Sequence, residues 1–275
     1  MLALMDFSQV RLIVVDMDGT LLNAQHELSV EFPLLYEQLQ ELGIRFAAAS
    51  GRQYESILDK LPQVGQELIV LAENGAHVVY EGELYDETTL SNAAIQEVLA
   101  AVADRTDVHA TLCTRGCAYT QRSDPEFGKV VREFYKAHDY IDDLTAYQGE
   151  AYKATLNHAE SSEQHIYPLV EHLAPELMVK VSGQHWVDVS VPEANKGRAL
   201  SVMQRELGIS RAETMAFGDY LNDLEMLAHA EFSFAMANAH PAVKQAARFT
   251  TASNDERGVD QVLRQLIEQR KRRYV

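Results

Sequence analysis

The sequence predicts an α/β protein whose parallel sheet is interrupted by an inserted α+β domain. Two observations carry this reading. Apolar runs of strand length alternate with helical patterns at both ends of the chain, and such alternation implies parallel strands joined by right-handed crossovers. Between about Tyr85 and Ser190 the texture changes, and alternating runs such as Lys180-Val181-Ser182 and Trp186-Val187-Asp188-Val189-Ser190 read as half-exposed antiparallel strands. The core is therefore expected in residues 1–84 and 191–275, with the insert over 85–190.

The elements follow in order. Leu12-Ile13-Val14-Val15 is apolar and β-branched, as a buried strand requires. Over Val30 to Leu42 the apolar residues Phe32, Leu35, Leu39 and Leu42 have helical spacing, and Gly43 ends that helix. Ile44 to Ala49 is the next strand, followed by a helix that Pro62 stops. Leu68 to Ala72 is a third strand, ending in Glu73-Asn74-Gly75. Val78-Val79-Tyr80 and Glu83-Leu84-Tyr85 flank Glu81-Gly82 as a hairpin. A helix is expected over about Ser91 to Ala103. The last part repeats the early pattern: a helix over Gly197–Leu207, a strand over Thr214–Phe217, a helix over Leu221–Ala230, a short strand over Phe232–Ala235, a helix from Pro241, and a terminal helix over Val259–Arg270.

With 275 residues and 47% hydrophobic residues, the chain can bury a sizeable core in two domains. A net charge of −17 argues against nucleic-acid binding, which needs clustered Lys and Arg. The one basic cluster, Arg270-Lys271-Arg272-Arg273, reads as a helix end, where cations suit the dipole. Cys113 and Cys117 lack the spacing of a zinc site and are expected as free thiols. No apolar run is long enough to span a bilayer, and Met1-Leu2-Ala3-Leu4-Met5-Asp6 lacks a signal peptide's basic start. A soluble, cytoplasmic protein with no membrane partner is the expectation.

In an open parallel sheet, ligands bind beyond the carboxyl ends of the strands. Three apolar strands end here in polar groups that should meet on one edge: Asp16 and Asp18, Ser50, and Asp219. Asp16-Met17-Asp18-Gly19-Thr20 offers one carboxylate to react and a second to move a proton, a combination suited to phosphoryl transfer through an aspartyl-phosphate. Asp16 would attack phosphorus. Asp18 would protonate the leaving oxygen and then activate water. Thr20 would support the turn. The Ser50 hydroxyl and the Gly51 N–H could both donate to a phosphoryl oxygen. Arg52 could meet substrate or pair with acids in its loop. Lys196 opens a helix, where a cation opposes the dipole; neutralising phosphoryl charge and holding Asp16 would give it a use. Asp219 and Asp223 sit four residues apart at a strand end and first helical turn, hard oxygen donors suited to Mg²⁺. Asp219 would ligate directly, Asp223 would orient a water or Lys196, and Asn222 could donate to phosphate.

Four motifs thus occur in order: Asp16-Met17-Asp18-Gly19-Thr20, Ala49-Ser50-Gly51-Arg52, Asn195-Lys196-Gly197 and Gly218-Asp219-Tyr220-Leu221-Asn222-Asp223. Together with Glu73-Asn74-Gly75-Ala76 and Asn254-Asp255-Glu256-Arg257-Gly258-Val259, they make the chain resemble the Cof-type branch of the haloacid dehalogenase superfamily. The resemblance covers the core through its motifs and the insert only by position and size. It implies a Rossmann-like, doubly wound core with an α/β cap, and Mg²⁺-dependent hydrolysis of phosphomonoesters. It places the metal on Asp16, on Asp219 and on the backbone carbonyl of Asp18, and it places the backbone N–H groups of Met17 and Asp18 against the phosphoryl oxygens. Small phosphorylated metabolites, including sugar phosphates, pyridoxal phosphate and flavin mononucleotide, are the partners it implies. The chain is expected as a monomer or small homo-oligomer. Arg115, Lys153, His185 and Trp186 are candidates for specificity in the cap.

Two other readings compete. A phosphomutase would use the same aspartyl-phosphate and return the group to substrate. A non-catalytic phosphometabolite-binding module would need neither the insert nor Asp18. A nucleotide-dependent enzyme is set aside, because the chain has neither a Gly-x-x-x-x-Gly-Lys-Ser/Thr nor a Gly-x-Gly-x-x-Gly loop.

Overall fold

The computed structural model describes residues 5–64, 67–121 and 125–272. They form two compact units: one of residues up to Gly51, Ile57–Asp86 and from Asn195 on, the other of Arg52–Ser56 and Glu87–Ala194.

The first unit begins with β1 (Leu12–Asp16), buried along its whole length. Helix α1 (Phe32–Glu41) carries Pro33 in its first turn, where a missing N–H costs nothing, and ends before Gly43 at φ 67°. It buries Phe32, Leu35, Tyr36 and Leu39 on the sheet, with the Phe32 and Phe46 rings edge to face at 5.3 Å. Then come β2 (Arg45–Ala49), α2 (Tyr54–Lys60), β3 (Ile69–Ala72) and the hairpin of β4 (His77–Tyr80) and β5 (Glu83–Glu87).

The second unit holds α3 (Asn92–Ala101), β6 (Val108–Thr114), β7 (Cys117–Gln121), α4 (Pro125–Phe134), β8 (His138–Ile141), β9 (Lys153–His158), the short helices α5 (Ser162–His165) and α6 (Tyr167–Val170), and the antiparallel pair β10 (Met178–Gly183) and β11 (Trp186–Ser190). Its sheet has six strands in the order β10-β11-β9-β6-β7-β8. Leu112, Leu156, Val187 and Val189 face α3 and α6 through Ile95, Val98, Ile166 and Val170. Alternate residues point the other way. There Cys113 and Ala118 meet Phe127, Val131 and Tyr135 on and just after α4. The reading of Trp186 to Ser190 as half-exposed is corrected at its centre. Asp188 is buried because Lys153 lies 3.3 Å from one carboxyl oxygen and the Thr155 hydroxyl donates to the other at 2.9 Å.

The chain returns to the first unit with α7 (Lys196–Leu207), β12 (Thr214–Gly218), α8 (Leu224–Ala228), β13 (Phe232–Ala235), α9 (Pro241–Ala246), β14 (Phe249–Thr250) and α10 (Gly258–Arg272). The eight strands of this unit run β14-β13-β12-β1-β2-β3-β4-β5. The pairs from β14 to β3 are parallel; β4 runs antiparallel to β3, so the hairpin closes one edge of an otherwise parallel sheet. From β1 the chain winds outward through β2 and β3, then returns to build β12, β13 and β14 on the other side. The strand order therefore reverses between β1 and β12, and the crevice beyond their carboxyl ends is where a doubly wound fold takes its ligand.

The basic C-terminal residues work as a helix end. Arg270 donates to the Ser8 and Val10 carbonyls at 2.7 and 3.2 Å, and Lys271 to Gln38 at 2.9 Å; Arg273 lies outside the described residues. Both cysteines are free thiols. No helix among the described residues is long and apolar enough to cross a membrane.

Candidate active site

Register brings the polar strand ends together within the first unit. Asp16 pairs with Ala49 on β2, one residue before Ser50, and Val15 pairs with Phe217 on β12, two residues before Asp219. After Asp16 the chain turns sharply, the Leu21 N–H donating to the Asp16 carbonyl at 3.1 Å and the Leu22 N–H to the Met17 carbonyl at 2.9 Å. Gly19 allows this turn at φ 79°. A Cβ there would also sit 2.4 Å from the Asp219 carboxylate. Gly19→Ala is therefore expected to lose about 1–2 kcal/mol from its backbone alone, with displacement of Asp219 adding to that. An unchanged urea midpoint in that variant would show the approach to be looser than described.

Lys196 is the hub. It is the first residue of α7, whose cap is the Asn195 side chain accepting from the Arg198 N–H at 2.8 Å, and it is completely buried. Its ammonium donates to Asp16 Oδ1 at 2.5 Å and to Asp223 Oδ1 at 2.7 Å. The other oxygen of Asp223 accepts from the backbone N–H groups of Asp219 and Tyr220 at 2.9 and 3.1 Å. This demand on Asp223 explains a departure from the expected helix over Leu221–Ala230: Leu221–Asp223 winds as a tight 3₁₀ turn, and α8 starts only at Leu224. Asp219 Oδ1 accepts from the Thr20 hydroxyl at 2.9 Å, so Thr20 does more than support its own turn.

The electrostatics are those of an acid cluster short of positive charge. Burial drives the Asp16 carboxyl well above the usual carboxylate range; Lys196 opposes this, and Asp223 and Asp219 reinforce it. Asp219 is pushed up to about 6, by burial first and Asp223 next, against the Thr20 hydroxyl and Lys196. Burial alone would lower Lys196, but Asp16 and Asp223 outweigh it and raise its pKa, so it stays charged. Burial is the first cause for both carboxyls and like charge comes after it; by count, one ammonium faces three carboxylates, a difference of two negative charges when all are ionised. Asp16, Asp219 and Asp223 each offer an oxygen, all within 4.8 Å of one another. Hard oxygens in this number, in deficit by two charges, fit a divalent ion such as Mg²⁺.

Other expected residues are placed as follows. Ser50 is buried at the end of β2, its N–H donating to the Leu71 carbonyl at 2.9 Å. A Cβ on Gly51 would meet the Asn74 side chain at 3.2 Å. Asn222 donates to Asn74 Oδ1 at 3.0 Å. Met17 is fully buried, and Asp18 Oδ1 lies 2.9 Å from His26 Nδ1. Arg52 groups with the second unit, as do the four candidates for specificity. Of these, Arg115 pairs with Glu87, Lys153 with Asp188, His185 Nδ1 lies 3.2 Å from the His158 carbonyl, and Trp186 stacks edge-on with Phe134.

Asn74 and Asn254 are read from sequence only as parts of motifs, with no role given to either. Asn74 follows the third strand, whose polar end was visible, and holds φ 57° between Glu73 at 51° and Gly75 at 89°. Asn254 donates to the Leu22 carbonyl at 2.9 Å, and Asn238 donates to the Gly19 carbonyl at 2.8 Å, bracing the turn after Asp16 from a distant part of the chain.

The haloacid dehalogenase-like hydrolase family matches residues 13–263. The 5-amino-6-(5-phospho-D-ribitylamino)uracil phosphatase YbjI of Escherichia coli is 34% identical over 261 residues, covering 94% of this chain and 96% of that protein. The HMP-PP phosphatase of Cronobacter sakazakii is 29% identical, covering 84% and 85%. Among solved structures, SMU.1108c from Streptococcus mutans superposes with a TM-score of 0.86 at 27% identity, covering 94% of this chain and 99% of that one. A haloacid dehalogenase-like hydrolase from Bacillus subtilis gives 0.82 at 26%, covering 93% and 99%. The chain belongs to the haloacid dehalogenase-like hydrolase family, as an enzyme of its Cof-type phosphatase branch.

Proposed function

We propose that this enzyme hydrolyses small phosphomonoesters, sugar phosphates or related phosphorylated metabolites such as pyridoxal phosphate or flavin mononucleotide, through an aspartyl-phosphate on Asp16. The observation that carries the reading is the Asp16 carboxylate, buried at the switch point of the sheet and held at 2.5 Å by the buried Lys196 ammonium. An Asp16 oxygen attacks phosphorus and the bond to the ester oxygen breaks, with Asp18 supplying the proton to that oxygen. Asp18 then takes a proton from water as the water attacks the same phosphorus, releasing inorganic phosphate and restoring Asp16. Lys196 offsets phosphoryl charge and fixes the nucleophile, while Ser50, the Gly51 N–H and the N–H groups of Met17 and Asp18 hold phosphoryl oxygens. Asp16, Asp219 and the Asp18 carbonyl would hold Mg²⁺, which supplies charge neutralisation on the phosphoryl oxygens. Asp223 orients Lys196 and the Asp219 loop. The relatives' substrates, a phosphorylated ribitylamino-uracil for YbjI and HMP-PP for the other, support a small-metabolite range.

The second unit is proposed to act as the cap that selects the leaving group, and the cytoplasm as the enzyme's setting. Arg52, Arg115, Lys153, His185 and Trp186 are the residues to vary for specificity. The reading is tested by phosphate release from a panel of small phosphomonoesters. Release is expected with Mg²⁺, is expected to vanish with a chelator, and is expected to return when Mg²⁺ is restored. Turnover that persists in chelator would refute the metal assignment. Transfer of phosphate back to substrate without release would point to a mutase.

A further inference from the structure

His26 is a side chain in direct contact with the proposed proton carrier that none of the motifs contains. Its Nδ1 lies 2.9 Å from Asp18 Oδ1. An ionised carboxylate only accepts, so with Asp18 ionised the hydrogen of this bond is on the ring. The loop that presents His26 is firmly built. The Asn23 N–H donates to the Glu27 carbonyl at 3.0 Å, and the His26 N–H donates to the Asn23 carbonyl at 2.9 Å. The Asn23 side chain accepts from the Gln25 and Glu27 N–H groups at 3.0 and 2.9 Å. Lys60 Nζ then donates to the His26 carbonyl at 3.0 Å. Within this clasp His26 takes φ 57°, a left-handed conformation that His, Asn and Asp adopt more readily than other residues with a Cβ. The side chains of His26 and Asp18 are 55% and 38% exposed, so their attraction is screened and adds little to stability. Its value lies in geometry, because a donor on Oδ1 fixes the rotation of the carboxyl group.

We infer that His26 is a positioning residue that holds the Asp18 carboxyl in the orientation for proton transfer to the leaving oxygen. The inference rests on the reading of Asp18 as the acid and base, and it extends the machinery beyond the four motifs. An alkyl phosphate needs its leaving oxygen protonated, whereas p-nitrophenyl phosphate does not, since nitrophenolate departs unprotonated. Loss of positioning should therefore lower kcat/KM for one ester and spare it for the other, because kcat/KM ends at departure of the leaving group and leaves out the water step that both esters share; general loosening of the fold would not produce that split.

The variants follow from the backbone. His26→Gly removes the ring and is at ease at this φ. His26→Asn also tolerates it and keeps an N–H donor two bonds from Cβ, where Nδ1 stands now. With the best-turned-over alkyl phosphate of the panel, His26→Gly is expected to lower kcat/KM by about tenfold, a fraction of what a general acid is worth. With p-nitrophenyl phosphate the change is expected to stay within about threefold, and His26→Asn is expected to recover most of the alkyl phosphate rate. Asp18→Asn should show the same ester dependence more strongly, and the double variant Asp18→Asn, His26→Gly should be no slower than Asp18→Asn alone. Equal losses on both esters, additive losses in the double variant, or no rescue by Asn would overturn the positioning role while leaving Asp18 in place. An Asp18→Asn enzyme without ester dependence would instead overturn the reading of Asp18, and the inference with it.

Discussion

Asp16→Asn is expected to lower phosphate release by on the order of 10⁴-fold or more, the scale on which covalent enzymes fail without their nucleophile. An amide nitrogen or oxygen is a poor nucleophile toward phosphorus, and the neighbouring carboxylates are held by other partners, Asp219 by the Thr20 hydroxyl and Asp223 by Lys196 and two backbone N–H groups. The same substitution should leave the protein at least as stable at neutral pH. Burial, with Asp223 and Asp219, holds the Asp16 pKa well above its ordinary value, so its ionised form opposes folding above that ordinary value. A neutral amide removes that opposition, and Lys196 keeps Asp223 at 2.7 Å. Phosphate release and thermal unfolding measured on one preparation check both halves. Activity near wild type would sink the aspartyl-phosphate. A large fall in melting temperature would show that Asp16 serves the fold, and that the charge shortage around it has been misread.

Lys196→Met should cost stability as well as turnover. It leaves three acids around a buried space with no cation, and breaking a buried pair in this way costs about 3–5 kcal/mol. Lys196 is among the groups that lower both Asp16 and Asp219, so both carboxyls rise further in its absence. The sign of the pH effect follows. A carboxyl whose folded pKa lies above its unfolded value makes the folded state bind protons more readily, so stability improves as pH falls. For Asp219 that window already runs from about 6 down toward 3.8 in the intact protein, and in the variant its upper edge moves higher. The deficit of Lys196→Met against wild type should therefore be large at pH 8 and smaller at pH 5.5, as read by urea unfolding. Phosphate release should fall by about 10²-fold or more, the loss typical when an electrostatic partner of the transition state is removed. A variant as stable as wild type at pH 8 would show that Lys196 is not the cation on which the acid cluster depends.

How much of this site was legible beforehand differs from residue to residue. The ends of β1, β2 and β12 were readable because a buried apolar strand that stops at Asp or Ser breaks its own pattern, and parallel strands must deliver such ends to one edge. Lys196 was readable because a cation on the first turn of a helix opposes the dipole. Asn222 reads as able to donate to phosphate, since a polar residue beside two acids has no pattern of its own. Within the protein it donates to Asn74, 148 residues away. The Glu73-Asn74-Gly75 end was visible, and Asn-Gly is itself a signal for positive φ, but nothing local says that the Asn74 side chain meets Asn222. His26 and Asn254 escaped for the same reason, since single polar residues in turns are common and most carry no chemistry.

By itself the sequence determined the alternation that makes a doubly wound sheet, the interruption by a second unit, and the acids, hydroxyl and lysine nominated for the site, because each is written as a local contrast between apolar period and polar stop. Only the tertiary structure decided which carboxylate Lys196 bridges to which, that Asp223 is spent on backbone N–H groups and a lysine, that Thr20 holds Asp219, and that Asp18 meets His26. Those pairings join residues brought together by register, and register depends on the packing of the whole sheet. A local pattern can nominate a charge for burial, but its partner is chosen only when the strands that carry both are aligned.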